Sequence, residues 1–142
     1  MEITITRKYL DELTYSVLGC AIEVHKQLGP GLLESIYEKC FTYELFLKGI
    51  EYQTQQKIGV QYKGVELDAE LRYDVLIENL IIVELKSIES ILPIHQAVLL
   101  TYMKLLEKPK GLLINFNCTN IFKEGQKTMV NEYYVALPYD GA

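Results

Sequence analysis

From Tyr9 to Leu28 apolar residues recur at helical spacing through Leu10, Leu13, Val17, Leu18, Ala21, Ile22, Val24 and Leu28. Gly29 reads as the residue past the helix end, and Pro30 stops any continuation. A second helical line runs from about Leu32 to Lys48 along Leu33, Ile36, Tyr37, Cys40, Phe41 and Leu45, with Gly49 as terminator. The period then changes to two. Lys57 to Tyr62 alternates, Lys63-Gly64 is a turn, and Val65 to Leu71 alternates again. Arg72 to Ile77 and the nearly all-apolar Leu80 to Lys86 follow, separated by Glu78-Asn79, and complete a three-strand meander whose last strand is central. Pro93 suits the first turn of a helix reaching about Leu106. Lys110 to Phe116 is a buried strand, Glu124-Gly125 a turn, and Thr128 to Leu137 a further edge strand. The predicted order is α-α-β-β-β-α-β plus an edge strand, an α/β fold with a mixed sheet and helices on its faces.

The 142 residues suit one domain, and no linker, repeat or low-complexity tract divides residues 1–142. A composition 49% hydrophobic and 23% charged supports a packed core rather than disorder. No apolar run approaches the ~20 residues that cross a bilayer. Glu2, Arg7, Lys8, Asp11 and Glu12 interrupt any secretory h-region, so the expectation is a cytoplasmic chain without membrane association. Cys20, Cys40 and Cys118 are odd in number and far apart, which favours free thiols over a disulfide framework. Neither His25 nor His95 has a partner at zinc-ligand spacing. The net charge of −5 excludes a broad basic face for nucleic acid, while leaving room for a local groove and for acids that await a cation.

The chemistry concentrates between Arg72 and Lys86. Strand side chains alternate, so Glu84 and Lys86 share one face and Val83 and Leu85 the other, while Arg72 and Asp74 share a face of the preceding segment. An odd connection, Glu78-Asn79-Leu80, sets Asp74 opposite Glu84; a two-residue turn would reverse the faces. The odd loop is the expectation here, with Asn79 accepting a positive φ. Charges on a strand most often mark a solvated face, but Glu84 and Lys86 interrupt a central-looking strand, where charge is costly unless paired or metal-bound.

Glu34 stands on the helical line Glu34, Tyr37, Phe41, Leu45 and is expected on the buried side of the second helix. A carboxylate in a first turn gains about 0.3–1 kcal/mol from the helix dipole. That would explain a Glu anywhere on the turn, whereas a third metal-site acid would explain one on the apolar line. Arg72 meets phosphate or pairs with Glu84 or Asp74. Tyr37 and Tyr102 either bond site carboxylates or pack in the core. His95 reads as a capping or surface residue. The eleven tyrosines offer stacking platforms for single strands or plain filler. Lys57, Lys63, Lys104, Lys108 and Lys110 fringe a cleft or are solvated.

Gly31-Leu32-Leu33-Glu34-Ser35-Ile36-Tyr37 resembles the G-x-x-E-x-x-Y motif of the GxxExxY proteins. These are similar to the PD-(D/E)XK nuclease superfamily, with its restriction-endonuclease-like fold. The likeness continues through Leu71-Arg72-Tyr73-Asp74, Ile82-Val83-Glu84-Leu85-Lys86, His95-Gln96-Ala97, Leu99-Leu100-Thr101-Tyr102 and Gly111 to Phe116, covering roughly residues 8–135.

What the resemblance implies is a phosphodiesterase site using Mg²⁺ or Mn²⁺. Asp74, Glu84, the backbone carbonyl of Leu85 and Glu34 would be the metal ligands. Lys86 would be the motif lysine, completing a catalytic set of Glu34, Asp74, Glu84 and Lys86, with Arg72, Tyr37 and Tyr102 on the substrate. The implied partner is nucleic acid, DNA or RNA, and analogy adds a homodimer. The chain departs from the pattern at Val98, where many relatives carry the Gln of Q-x-x-x-Y; Gln96 lies on another side of that helix. Beside the nuclease stand two alternatives: a catalytically impaired nuclease-fold module that binds nucleic acid or a protein, and a structural domain whose acids form only ion pairs.

Overall fold

A computed structural model describes residues 4–141; Glu2, one of the charges counted against a leader, lies outside them. The chain opens with α1 (Arg7–Leu28), whose N-terminal cap is the Thr6 hydroxyl accepting the Tyr9 N–H at 3.0 Å. Gly29, at φ 69°, ends it as the pattern predicted. α2 (Glu34–Leu47) follows. Five short strands come next: β1 (Tyr52–Thr54), β2 (Lys57–Tyr62), β3 (Val65–Arg72), β4 (Val75–Ile77) and β5 (Ile81–Lys86). The rest is α3 (Pro93–Leu106), β6 (Lys110–Asn115), α4 (Ile121–Glu124), β7 (Gln126–Val130) and α5 (Glu132–Val135).

The main sheet runs β1-β4-β5-β6-β7, with β5 at its centre, β5 and β6 parallel, and the other pairs antiparallel. This is the mixed α/β architecture that the pattern predicted, with an antiparallel β7 at its edge. The edge strand is shorter than the predicted Thr128 to Leu137, because Asn131 caps the one-turn α5 by accepting the Tyr133 N–H at 3.1 Å.

The predicted three-strand meander is corrected. β2 and β3 form a separate two-stranded ribbon that turns at Lys63 (φ 50°) and Gly64 (φ 82°). The chain leaves that ribbon at Tyr73, which is buried, and enters the main sheet only at β4. Arg72 therefore ends β3, whereas Asp74 lies in the connection just before β4. β4 takes its second neighbour from β1, three residues too short to stand out as a period.

Alternation in the central strands separates two cores. Val75, Ile77, Ile81, Val83, Leu85, Leu112 and Ile114 pack with Val17, Ala21, Tyr37, Phe41 and Leu45 of α1 and α2. Leu76, Ile82 and Leu113 point to the opposite face and pack with Leu99 and Met103 of α3, plus Ile58 and Tyr73 from the base of the ribbon. Because Glu84 follows Ile82 and Asp74 precedes Leu76 at strand spacing, both acids belong to the α3 face.

Candidate metal and active site

The β4–β5 turn sets the site. Val75, Leu76 and Ile77 pair with Val83, Ile82 and Ile81, leaving Glu78, Asn79 and Leu80 as the connection, the odd loop that the spacing favoured. Asn79 has φ 59°, and Glu78 also lies at positive φ, 49°. Carried one step further, the register sets Asp74 opposite Glu84. The Asp74 N–H donates to Glu84 Oε2 at 2.9 Å, and Asp74 Oδ2 accepts the Leu85 N–H at 2.8 Å. Side chains thus continue the ladder where the backbone pairing of β4 has ended.

Glu84 is buried, 6% exposed, on the central strand. Burial first, and then the charge of Asp74, push its carboxyl from 4.5 up to about 8, against a smaller opposing pull from Lys86. Tyr102, half-buried on α3, feels the same acids: burial and the charges of Glu84 and Asp74 raise its hydroxyl pKa. Asp74, Glu84, Lys86 and Tyr102 therefore form one neighbourhood.

Glu34 is corrected as a buried residue. It is exposed at the start of α2, and its Oε1 accepts the Ser87 N–H at 3.2 Å. The reason lies in the layers. α2 packs on the Val83 and Leu85 face while Glu84 projects from the other, so the line Tyr37, Phe41, Leu45 enters the core and Glu34 overhangs the end of β5. There it joins a clasp in which Ser87 Oγ donates to the Leu32 carbonyl at 2.7 Å. Asn115 Oδ1 accepts the Ile88 N–H at 3.0 Å and steadies the same loop, beside Lys86 in the ladder. Among the described residues no three His, Cys, Asp or Glu side chains converge as a metal cluster. Asp74 and Glu84 are linked through hydrogen bonds, whereas Glu34 bonds the backbone of Ser87.

The remaining candidates divide. Tyr37 is a core residue: its ring stacks on Phe116 with centroids 4.3 Å apart, and its hydroxyl donates to Gly29 O and accepts the Leu32 N–H. It does not face the acids. Arg72 donates from Nη1 to the Gln55 carbonyl at 3.1 Å. The ion pairs Lys57–Asp68 and Lys110–Asp11 involve none of Arg72, Asp74 and Glu84. Lys110 is buried at 4% exposure and cannot fringe a cleft. His95 is a capping residue, with Nδ1 accepting the Leu92 N–H at 2.8 Å. Cys118 Sγ lies 4.0 Å from His25 Nε2, but burial, then Glu124, raise the thiol pKa, which opposes a nucleophilic thiolate.

Sequence reasoning missed Glu38 and Gln55. Gln55 Nε2 donates to Glu38 Oε1 at 2.7 Å and to Asp74 Oδ1 at 3.2 Å. Burial raises the Glu38 pKa, the Gln55 hydrogen bond lowers it, and Asp74 raises it again. The available signal was the spacing: Glu38 follows Glu34 by four residues on one helix side. A cleft of about 650 Å³, lined by Phe46, Ile50, Tyr52 and Leu76 among others, contains neither paired acid.

The central strand of a mixed sheet, with helices on both faces, thus carries a buried Glu84 paired with a half-buried Asp74, and Lys86 lies two residues on along the same strand. A family model for the PD-(D/E)XK nuclease superfamily matches residues 11–129, and the chain belongs to that superfamily. No curated protein and no solved structure matches it.

Proposed function

We propose that the chain hydrolyses phosphodiester bonds of DNA or RNA with Mg²⁺ or Mn²⁺, in the manner the GxxExxY likeness implies. The observation that carries this reading is the reciprocal hold between Asp74 and Glu84. Two hard-oxygen acids, one buried and retaining its proton near neutral pH, form a donor set whose charge a divalent cation would balance. Asp74, Glu84 and the Leu85 carbonyl would hold the ion, and two carboxylates suffice for Mg²⁺, which keeps several waters. A bound ion supplies polarisation of the phosphate and a water acidified enough to attack. Lys86 offsets the charge that develops on phosphate. Tyr102 offers a hydroxyl beside the acids, and Arg72 an exposed guanidinium near them. Glu34 has a positioning role through Ser87, tying the end of β5 to the first turn of α2.

The test is cleavage of single- and double-stranded DNA and RNA with Mn²⁺, for the native chain beside Glu84→Ala and Lys86→Ala. Cleavage by the native chain alone supports the reading. Val98 favours a second one: it is 37% exposed on α3 and presents no amide. A nuclease-fold module that binds without cutting would give salt-sensitive retention of the nucleic acid and no products.

A further inference from the structure

Every polar group of Asp74 is engaged, and half of those bonds come from one residue. Its N–H goes to Glu84 and its Oδ2 to the Leu85 N–H. Its carbonyl accepts the Gln55 N–H at 3.0 Å, and its Oδ1 accepts the Gln55 side-chain amide at 3.2 Å. Gln55 lies just past β1, in the left-handed region at φ 53°, where a residue with a side chain is uncommon. That conformation turns its backbone N–H and its amide toward the same neighbour. The amide has a fixed sense as well. Two carboxylates flank Nε2, and an amide oxygen in that position would meet two acceptors without a proton between them.

Glu38 completes the arrangement. Its Oε1 takes the shorter of the two amide bonds, 2.7 Å, from the second turn of α2. α2 thereby influences Asp74 across the edge of the sheet without placing a carboxylate on the acids' own face. We infer that Gln55, fixed by Glu38, is the positioning residue for the Asp74 carboxylate, so that a loop residue and a helix acid together set the affinity of the site for a divalent ion. The inference rests on the proposed metal site and extends it to two residues outside the motif. An outer partner that orients a ligating carboxylate governs affinity by limiting its rotation, and losing such a partner typically weakens metal binding about 10–100-fold.

The experiment measures Mn²⁺ binding by the paramagnetic resonance signal of free Mn²⁺, together with melting in the absence of metal. It compares the native chain with Gln55→Ala, Gln55→Gly, Glu38→Ala, Glu38→Gln and Glu84→Ala. Gln55→Ala and Glu38→Ala are expected to weaken binding about 10–100-fold, and combining them to add little, because both act on one carboxylate. Gln55→Gly relaxes the left-handed turn and keeps the fold, yet weakens binding equally. Glu38→Gln retains an oxygen acceptor for the amide and stays within about fivefold of the native chain. Native affinity in Gln55→Gly would overturn the inference, as would a Glu38→Gln loss as deep as that of Glu38→Ala, which would make Glu38 a ligand in its own right. If Glu84→Ala binds Mn²⁺ like the native chain, the metal site itself fails, and that outcome is distinct from the others.

Discussion

Asp74 and Glu84 face each other across the end of the β4–β5 pair, and each uses the other strand's backbone. The Asp74 N–H donates to Glu84 Oε2 at 2.9 Å, and the N–H of Leu85, the neighbour of Glu84, donates to Asp74 Oδ2 at 2.8 Å. The bonds replace two rungs of a ladder with side chains, so the positions of the acids follow from strand register. Register in turn follows from a three-residue connection with Asn79 at φ 59°.

The pH dependence of stability without metal follows from Glu84. Its carboxyl titrates at about 8 in the folded chain and near 4.5 when unfolded. Between these values the folded state holds the extra proton, so stability falls as pH rises, by at most about 1.4 kcal/mol per unit from this group. Melting temperatures from pH 5 to 8 should decline, and Glu84→Gln should flatten the decline. Mn²⁺ binding needs the deprotonated acid, so stabilisation by the ion should grow over the same interval.

Asn79 carries the turn. Asn tolerates the left-handed region better than residues with other side chains, so Asn79→Ala should cost about 1 kcal/mol, while Asn79→Gly should be close to neutral. Denaturant unfolding of the two variants measures the difference.

Gly111 permits α3 to approach the sheet. A Cβ there would lie 2.7 Å from Met103 Sδ and 2.9 Å from Leu99 Cγ. Gly111→Ala should therefore destabilise by about 1–3 kcal/mol through overpacking. It should also slow cleavage beyond any loss of folded protein, because Tyr102 shares the displaced helix. Chemical denaturation and an assay at a temperature where the variant is folded separate the two effects.

Tyr102→Phe should retain Mn²⁺ affinity and slow cleavage by about tenfold, the scale of one lost hydrogen bond from a substrate. Lys86→Met should also retain or improve Mn²⁺ affinity, by removing a cation beside the acids, and reduce turnover about 10²-fold or more. Binding and single-turnover rates, measured on the same preparations, check both.

The long periodic elements were legible because each buries one face. Helical spacing found α1 and α2, Pro93 marked the start of α3, and alternation with apolar content found β2, β3, β5 and β6. The pairing of the two acids was legible from alternation: once the connection was odd, Asp74 and Glu84 had to meet. β1 was missed because three residues carry no period. The joining of β3 to β4 as one strand failed at Tyr73, a buried residue where the chain changes sheets and whose side chain gives no sign of it. Glu34 was assigned to the buried line by its spacing with Tyr37 and Phe41, but a line does not say how far along its helix the core extends. Gln55 had no sequence signal, since its role comes from a left-handed backbone that Gln seldom adopts.

The most direct test is a crystal soaked in Mn²⁺ and measured for anomalous scattering. A metal site on the acidic pair predicts one strong peak coordinated by the carboxylates of Asp74 and Glu84, lost in Glu84→Ala. A peak at Glu34 and Ser87 alone, or none near the acidic pair, would contradict it.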